Sequence, residues 1–239
     1  MITIIQARMS SSRLPGKVLL PMGDGLVLDQ VIKRAAPFSD QVVVCTSTDP
    51  SDQPIEEFCE QRGVVCVRGP LDDVFERYQM ALADPRVCSS DWFARVTGDC
   101  PLLSTDLARH LIENIGASDD YVCVHHDGLP RGLTAEFINS ETFLQIYQGL
   151  LDGPDREHVT LHLYEHRERY ECRFIEPPLQ LRHPGLRLTL DYEEDYMLLQ
   201  RLFDGAPDIT AEQAIARLNS EPELRRQNAH CVQKAARSS

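Results

Sequence analysis

The chain has 239 residues, 42% of them hydrophobic, and a formal net charge of −13. That length and composition suffice for a full core and an enzyme-sized globular body, while the acidic balance opposes non-specific nucleic-acid binding, which needs a basic surface. No stretch approaches the roughly 18 apolar residues of a membrane helix, and the N-terminus runs into strand-like sequence without a secretory pattern, so a cytoplasmic protein with neither membrane nor nucleic-acid partner is expected.

Taken in chain order, short β-branched runs alternate with amphipathic segments. Strands are predicted at Ile2–Ile5, Gln41–Cys45, Val64–Val67, Trp92–Val96 and Asp120–Val124, and helices at Leu28–Ala36, Pro54–Arg62, Val74–Ala83 and Asp106–Ile115. Strand and helix in this alternation predict an α/β fold, a mostly parallel sheet with helices on both faces. After residue 125 the rhythm breaks. A loop with Gly128, Pro130, Arg131 and Gly132 leads to helices near Ser140–Leu150 and Asp155–His166, strand-like runs at Glu171–Ile175 and Leu186–Leu190, and a helix at Glu193–Phe203. With no repeat and no low-complexity linker, residues 1–218 read as one domain. The polar stretch Asn219 to Ser239 reads as a loosely packed tail. The eight cysteines are scattered without a CxxC pair, which indicates reduced, mostly buried thiols rather than a zinc ribbon or a disulfide framework.

The stretch after the first strand, "ARMSSSRLPGK", gathers Arg8, Arg13 and Lys17 with three serines and Gly16. In open α/β sheets ligands bind beyond the carboxyl ends of the strands, and a loop of this composition can present backbone N–H groups and full charges to an anion. It is neither a Walker A loop nor a GxGxxG fingerprint, and a solvated basic turn would have the same composition. "RVTGDCPLL" sets Asp99 just past a predicted strand, and "LTLDYEEDY" sets Asp191 past another. Such carboxylates suit a hard cation such as Mg²⁺; the alternative for Asp99 is an Asx-type turn residue. Glu194 and Asp195 read as first-turn helix residues favoured by the helix dipole.

These pieces, in order with "VVVCTSTDPSDQPI", "VRGPLDDVFERY", "GLPRGLTAEF" and "REHVT", resemble the cytidylyltransferases that activate sugar acids, the CMP-acylneuraminate and CMP-KDO synthetases. The branch most similar is the one labelled spore-coat polysaccharide biosynthesis. The resemblance spans nearly residues 2 to 200. It implies a GT-A-like, Rossmann-like nucleotidyltransferase fold, CTP and a small anionic sugar acid as substrates, Mg²⁺ as cofactor, a homodimer, and a CMP-sugar product for surface polysaccharide or glycan. It further implies that Arg8, Arg13, Lys17 and Asp99 are catalytic, that Asp99 and Asp191 hold the metal, and that Ala7, Ser10, Ser11, Ser12, Thr46 and Arg77 join the same set at the nucleotide. Arg131, Glu136, Arg156, Glu157 and His158 are implied on the acceptor side, within an elaboration over about residues 125–185.

The residues themselves leave other readings open. Asp72 suits a helix N-cap as well as a ligand contact. His158, His162 and His166 would share one helix face without an evident metal partner, and His125–His126 suit a surface loop. The same chemistry on another anionic or phosphonate acceptor, and a catalytically degenerate nucleotide-binding scaffold, remain alternative functions.

Overall fold

A computed structural model describes residues 1–125, 128–146 and 151–232. Its strands are β1 (Ile2–Gln6), β2 (Pro21–Met22), β3 (Gly25–Leu26), β4 (Gln41–Ser47), β5 (Val65–Gly69), β6 (Trp92–Thr97), β7 (Tyr121–Val124), β8 (Glu136–Asn139) and β9 (Cys172–Ile175). Its α-helices are α1 (Val27–Ala35), α2 (Gln53–Arg62), α3 (Val74–Ala83), α4 (Thr105–Glu113), α5 (Ser140–Gln145), α6 (Gly153–Glu157), α7 (Leu161–Glu165), α8 (Glu193–Phe203), α9 (Ala211–Ser220) and α10 (Pro222–Arg226).

Seven strands form one sheet in the order β5-β4-β1-β6-β8-β7-β9. The β-branched run of β1 is buried and pairs in parallel with β4 and β6, Ile5 lying between Val44 and Val96. A parallel centre needs cover on both faces. On one, α3 and α5 bring Phe75, Tyr78 and Phe143 onto Phe93, with ring centroids 4.3 Å apart for Phe75–Phe143 and 5.2 Å for Phe93–Phe143. On the other, Phe38 meets Phe137 at 6.4 Å. All the predicted elements up to residue 125 are present, and α3 has the predicted bounds.

The second half departs from expectation. β8 was not expected. Its four residues, one of them charged, are too few to show alternation, yet they run antiparallel between β6 and β7. Leu186–Leu190 is extended and buries Leu186, Leu188 and Leu190, but it joins no sheet. Its Leu188 N–H donates to the Arg131 carbonyl at 2.9 Å and its Leu190 N–H to the Asp99 carbonyl at 2.8 Å, so loops take the place of a neighbouring strand. The helix predicted over Asp155–His166 is two short helices, α6 and α7, interrupted at His158. Of the helix predicted near Ser140–Leu150, the described part ends at Gln145, and residues 147–150 lie outside the described set.

The stretch predicted as a loose tail is docked for much of its length. Leu224 is fully buried, and Asn228 donates to the Arg187 carbonyl at 3.0 Å and to the Asp195 carboxylate at 2.7 Å; residues 233–239 lie outside the described set. Removing the Leu224 side chain should therefore leave a core cavity. Leu224→Ala is expected to lower stability by about 2–4 kcal/mol, seen as a lower urea midpoint with unchanged slope. An unchanged midpoint would mean that this segment is not part of the cooperative unit.

Candidate active site

The site is built at the carboxyl ends of β1 and β6. Beyond β1 the chain enters the basic loop, which buried Asp52 ties down: its carboxylate accepts the Met9 N–H at 2.6 Å and the Ser47 N–H at 3.2 Å, together with the Ser47 hydroxyl. The loop delivers Lys17 onto a short helical turn with its side chain directed inward. Beyond β6, Gly98 permits the next loop to approach, because a Cβ at this position would stand 3.1 Å from both the Ala7 Cβ and the Gln6 carbonyl. Gly132, at φ +97, does the same for the segment leading to Asp191, where a Cβ would meet the Leu188 carbonyl at 2.7 Å.

The buried Lys17 ammonium sits at the junction. Its Nζ donates to Asp99 Oδ2 at 2.6 Å, the Leu190 carbonyl at 2.7 Å and Asp191 Oδ1 at 2.8 Å. Arg13 adds a contact to the same Asp191 oxygen at 3.1 Å and lies over the Tyr192 ring, 4.7 Å from its centroid. Behind Asp191, Arg187 donates to Asp191 Oδ2 at 2.6 Å and to Asp195 Oδ1 at 3.0 Å. Asp195, fully buried at the start of α8, accepts the N–H groups of Asp191 and Tyr192 at 3.0 Å each. It is a first-turn helix residue, as expected, and also the strut that fixes the Asp191 backbone.

These contacts set the protonation states. Burial alone would lower the Lys17 pKa, but the carboxylates of Asp99 and Asp191 outweigh it and hold the ammonium above its ordinary 10.5. Burial alone would raise Asp191, but Lys17, Arg187 and Arg13 outweigh it and bring its carboxyl from 3.8 down to about 2. Three carboxylates, Asp99, Asp191 and Asp195, thus alternate with three cations, Lys17, Arg13 and Arg187.

The other expected residues divide into two groups. Arg8 lies nearby, half exposed and 3.7 Å from Glu157 of α6, so the basic loop and the predicted acceptor segment face one another. Arg156 pairs with Asp73, and His158 closes α6. Asp73, rather than Asp72, caps α3 by accepting the Glu76 N–H at 2.8 Å. Ala7 is buried against β4, with its N–H donating to Cys45 at 3.0 Å, whereas Ser10 and Ser12 are exposed and Ser11 is half-buried. Thr46 and Arg77 are buried, and Thr46 Oγ1 and Arg77 Nε and Nη1 find no partner.

Arg131 and Glu136 are not brought into this group. Arg131 is exposed on a separate cavity of about 180 Å³ that it shares with Arg187, Arg225 and Cys231. Glu136, on β8, is buried and committed to Arg95, to the Tyr121 hydroxyl and, at 2.9 Å, to the Thr160 hydroxyl. Both of its carboxylate oxygens thus have partners within the fold. The His162 and His166 rings lie tilted against each other, 4.5 Å between centroids, although the helix carrying His158 ends before them. His125 is exposed, and His126 lies outside the described residues. Four cysteines are buried, Cys66, Cys172 and Cys231 are half-buried, and Cys88 is exposed, all as free thiols. No helix among the described residues is long and apolar enough to cross a membrane.

A parallel α/β sheet with a basic loop beyond its first strand and two carboxylates facing it is a nucleotide-site arrangement, and the cytidylyltransferase family profile matches residues 2–229. The chain belongs to the cytidylyltransferase family. It is therefore a nucleotidyltransferase with a Rossmann-like fold. The spore coat polysaccharide biosynthesis protein SpsF of Bacillus subtilis is 32% identical over 92% of this chain and 94% of its own. The 3-deoxy-manno-octulosonate cytidylyltransferase of Vibrio parahaemolyticus is 30% identical over 48% of this chain and 46% of its own. Among solved structures, a cytidylyltransferase from Leptospira borgpetersenii superposes with a TM-score of 0.84 at 27% identity, covering 94% of this chain and 96% of that one.

The Asp191 pKa fixes the sign of the acid response. A carboxyl held at about 2 in the fold and near 4 in the unfolded chain stabilises the fold above pH 4, and that contribution is lost as pH falls from about 4 through about 2. Asp191→Asn should flatten this part of the stability profile, measured by denaturant titration at each pH. A profile as steep as that of the wild type would mean that Asp191 is not held by Lys17, Arg187 and Arg13.

Proposed function

We propose that this cytidylyltransferase joins CMP from CTP to the hydroxyl of a small sugar acid, releasing pyrophosphate, in the synthesis of a surface polysaccharide or glycan. The observation that carries the reading is the Lys17–Asp99–Asp191 cluster with Arg13 and Arg8 around it, a concentration of cations in a chain of net charge −13. SpsF and the Vibrio enzyme, by their names, support a polysaccharide setting and a sugar-acid acceptor.

In the reaction the acceptor hydroxyl attacks the α-phosphorus and pyrophosphate departs on the opposite side, so negative charge grows on the leaving group. Arg8, Arg13 and Lys17 supply the donors that stabilise it, with charge-assisted hydrogen bonds aimed from a fixed loop. Lys17 and Arg13 contact carboxylates, and nucleotide binding would exchange some of these contacts for phosphate oxygens. Lys17 lies beside both the carboxylates and the triphosphate loop, so it can make that exchange with small movement.

The residues fit Mg²⁺ in chemistry. Asp99, Asp191 and the Leu190 carbonyl are hard oxygen donors that converge on one point, the position of Lys17 Nζ, at 2.6–2.8 Å. Held by Asp99 and Asp191, Mg²⁺ would supply positive charge to the α-phosphoryl oxygens.

Pyrophosphate release from CTP, ATP, GTP and UTP against a panel of sugar acids tests the reading. Release is expected only with CTP and one acceptor class. CTP binding without release for any acceptor would favour a nucleotide-binding scaffold. Arg13→Ala should weaken CTP binding by about 10- to 100-fold, the worth of one or two charge-assisted hydrogen bonds, while CMP affinity stays within about twofold. Equal losses for CTP and CMP would remove Arg13 from the leaving group.

A further inference from the structure

Outside the crevice, and among the described residues, one group of metal-ligating side chains converges. The ligand atoms of Glu194, His230 and Cys231 all lie within 4.8 Å of one another. Glu194 stands in the first turn of α8, whereas His230 and Cys231 follow α10 on the docked C-terminal segment. The fold rather than local sequence brings them together, since Glu194 and His230 are separated by 36 positions. The segment is tethered on both sides of the His-Cys pair. Before it, Asn228 donates to Arg187 and Asp195; after it, the Tyr192 hydroxyl donates to the Val232 carbonyl at 3.0 Å. Two of the three ligands are thus carried on backbone that is already ordered, which lowers the entropy cost of closing a site.

The donor set is chemically distinct from that of the crevice. A thiol, an imidazole and a carboxylate suit a borderline-soft ion such as Zn²⁺ and do not suit Mg²⁺, which prefers oxygen alone. His230 Nε2 is already 3.4 Å from Glu194 Oε1. Tetrahedral zinc, with bonds of about 2.0–2.3 Å, places its ligands about 3.3–3.8 Å apart. The remaining approach is on the order of 1 Å, and His230 can supply it because its side chain is 67% exposed and unconfined by packing. A bound divalent cation favours the thiolate, so Cys231 would bind after releasing its proton to solvent.

We propose that Glu194, His230 and Cys231 form a Zn²⁺ site, with water as the fourth ligand, that clips the C-terminal segment onto the first turn of α8. That turn carries Asp195, so the clip also steadies the Asp191 backbone. The site is independent of which acceptor the enzyme uses.

Cobalt(II) serves as the probe on the purified full-length chain. One equivalent should give a thiolate-to-cobalt charge-transfer band in the near ultraviolet with visible bands of four-coordinate intensity, and Zn²⁺, not Mg²⁺, should abolish them. Cys231→Ser should lose the charge-transfer band, His230→Ala and Glu194→Gln should each weaken cobalt binding at least about tenfold, and Cys88→Ser should change nothing. Zn²⁺ should raise the melting temperature of the wild type and not that of Cys231→Ser. A missing charge-transfer band in the wild type, a band that survives Cys231→Ser, or one lost in Cys88→Ser would each overturn the assignment. Equal Zn²⁺ stabilisation of the wild type and Cys231→Ser would do so as well, by placing the ion elsewhere.

Discussion

A buried ammonium between two carboxylates organises this enzyme. Asp99 and Asp191 come from distant parts of the chain and meet at one ammonium, which both contact. Lys17, reaching across sequence separations of 82 and 174 residues, sits between them and holds the Asp191 carboxyl well below its ordinary range. Each backbone feature around it serves the same end. Asp52 anchors the loop that carries Lys17, Gly98 admits the loop that carries Asp99, and Asp195 holds the peptide that carries Asp191. A buried charge network is a poor source of stability, because desolvation offsets most of the attraction. Here it defines the positions of three loops relative to one another.

The same network bears on ligand binding. Carboxylates and cations balance in the crevice, Arg8 included through Glu157, so under the proposed reading a triphosphate would draw Lys17 and Arg13 away from these partners. This makes anion binding and the state of the two carboxylates parts of one exchange. Coupling of this kind is a difference in affinity between two charge arrangements.

Much of the parallel half was legible because β-branched runs and 3.6-residue periodicity act locally, and burial then satisfies both. That Arg13, Lys17, Asp99 and Asp191 come together was legible as well, through predicted strand ends and through family resemblance. What was not legible depended on contacts between remote segments. β8 is four residues long and gains its hydrogen bonds from β6 and β7, and Leu186–Leu190 shows strand-like alternation yet bonds to loops. The burial of Asp52 and Asp195 follows from backbone N–H groups that no sequence pattern displays, although Asp52 stood inside a quoted motif. Glu136 was read toward substrate because the partner that claims it, Arg95, lies on another strand. The C-terminal segment looked polar because its buried apolar anchor, Leu224, is flanked by charged residues.

The account turns on Lys17 occupying the point at which a metal ion would contact Asp99 and Asp191. Mn²⁺ binding, followed by electron paramagnetic resonance without nucleotide, addresses this directly when the wild type is compared with Lys17→Met. Removing the ammonium leaves both carboxylates unpaired by it, so Lys17→Met is expected to bind Mn²⁺ at least about tenfold more tightly than the wild type. It should also lose affinity for CTP. Equal Mn²⁺ affinity in the two proteins would contradict the account, because Lys17 would then be neither the partner of these carboxylates nor the occupant of that point.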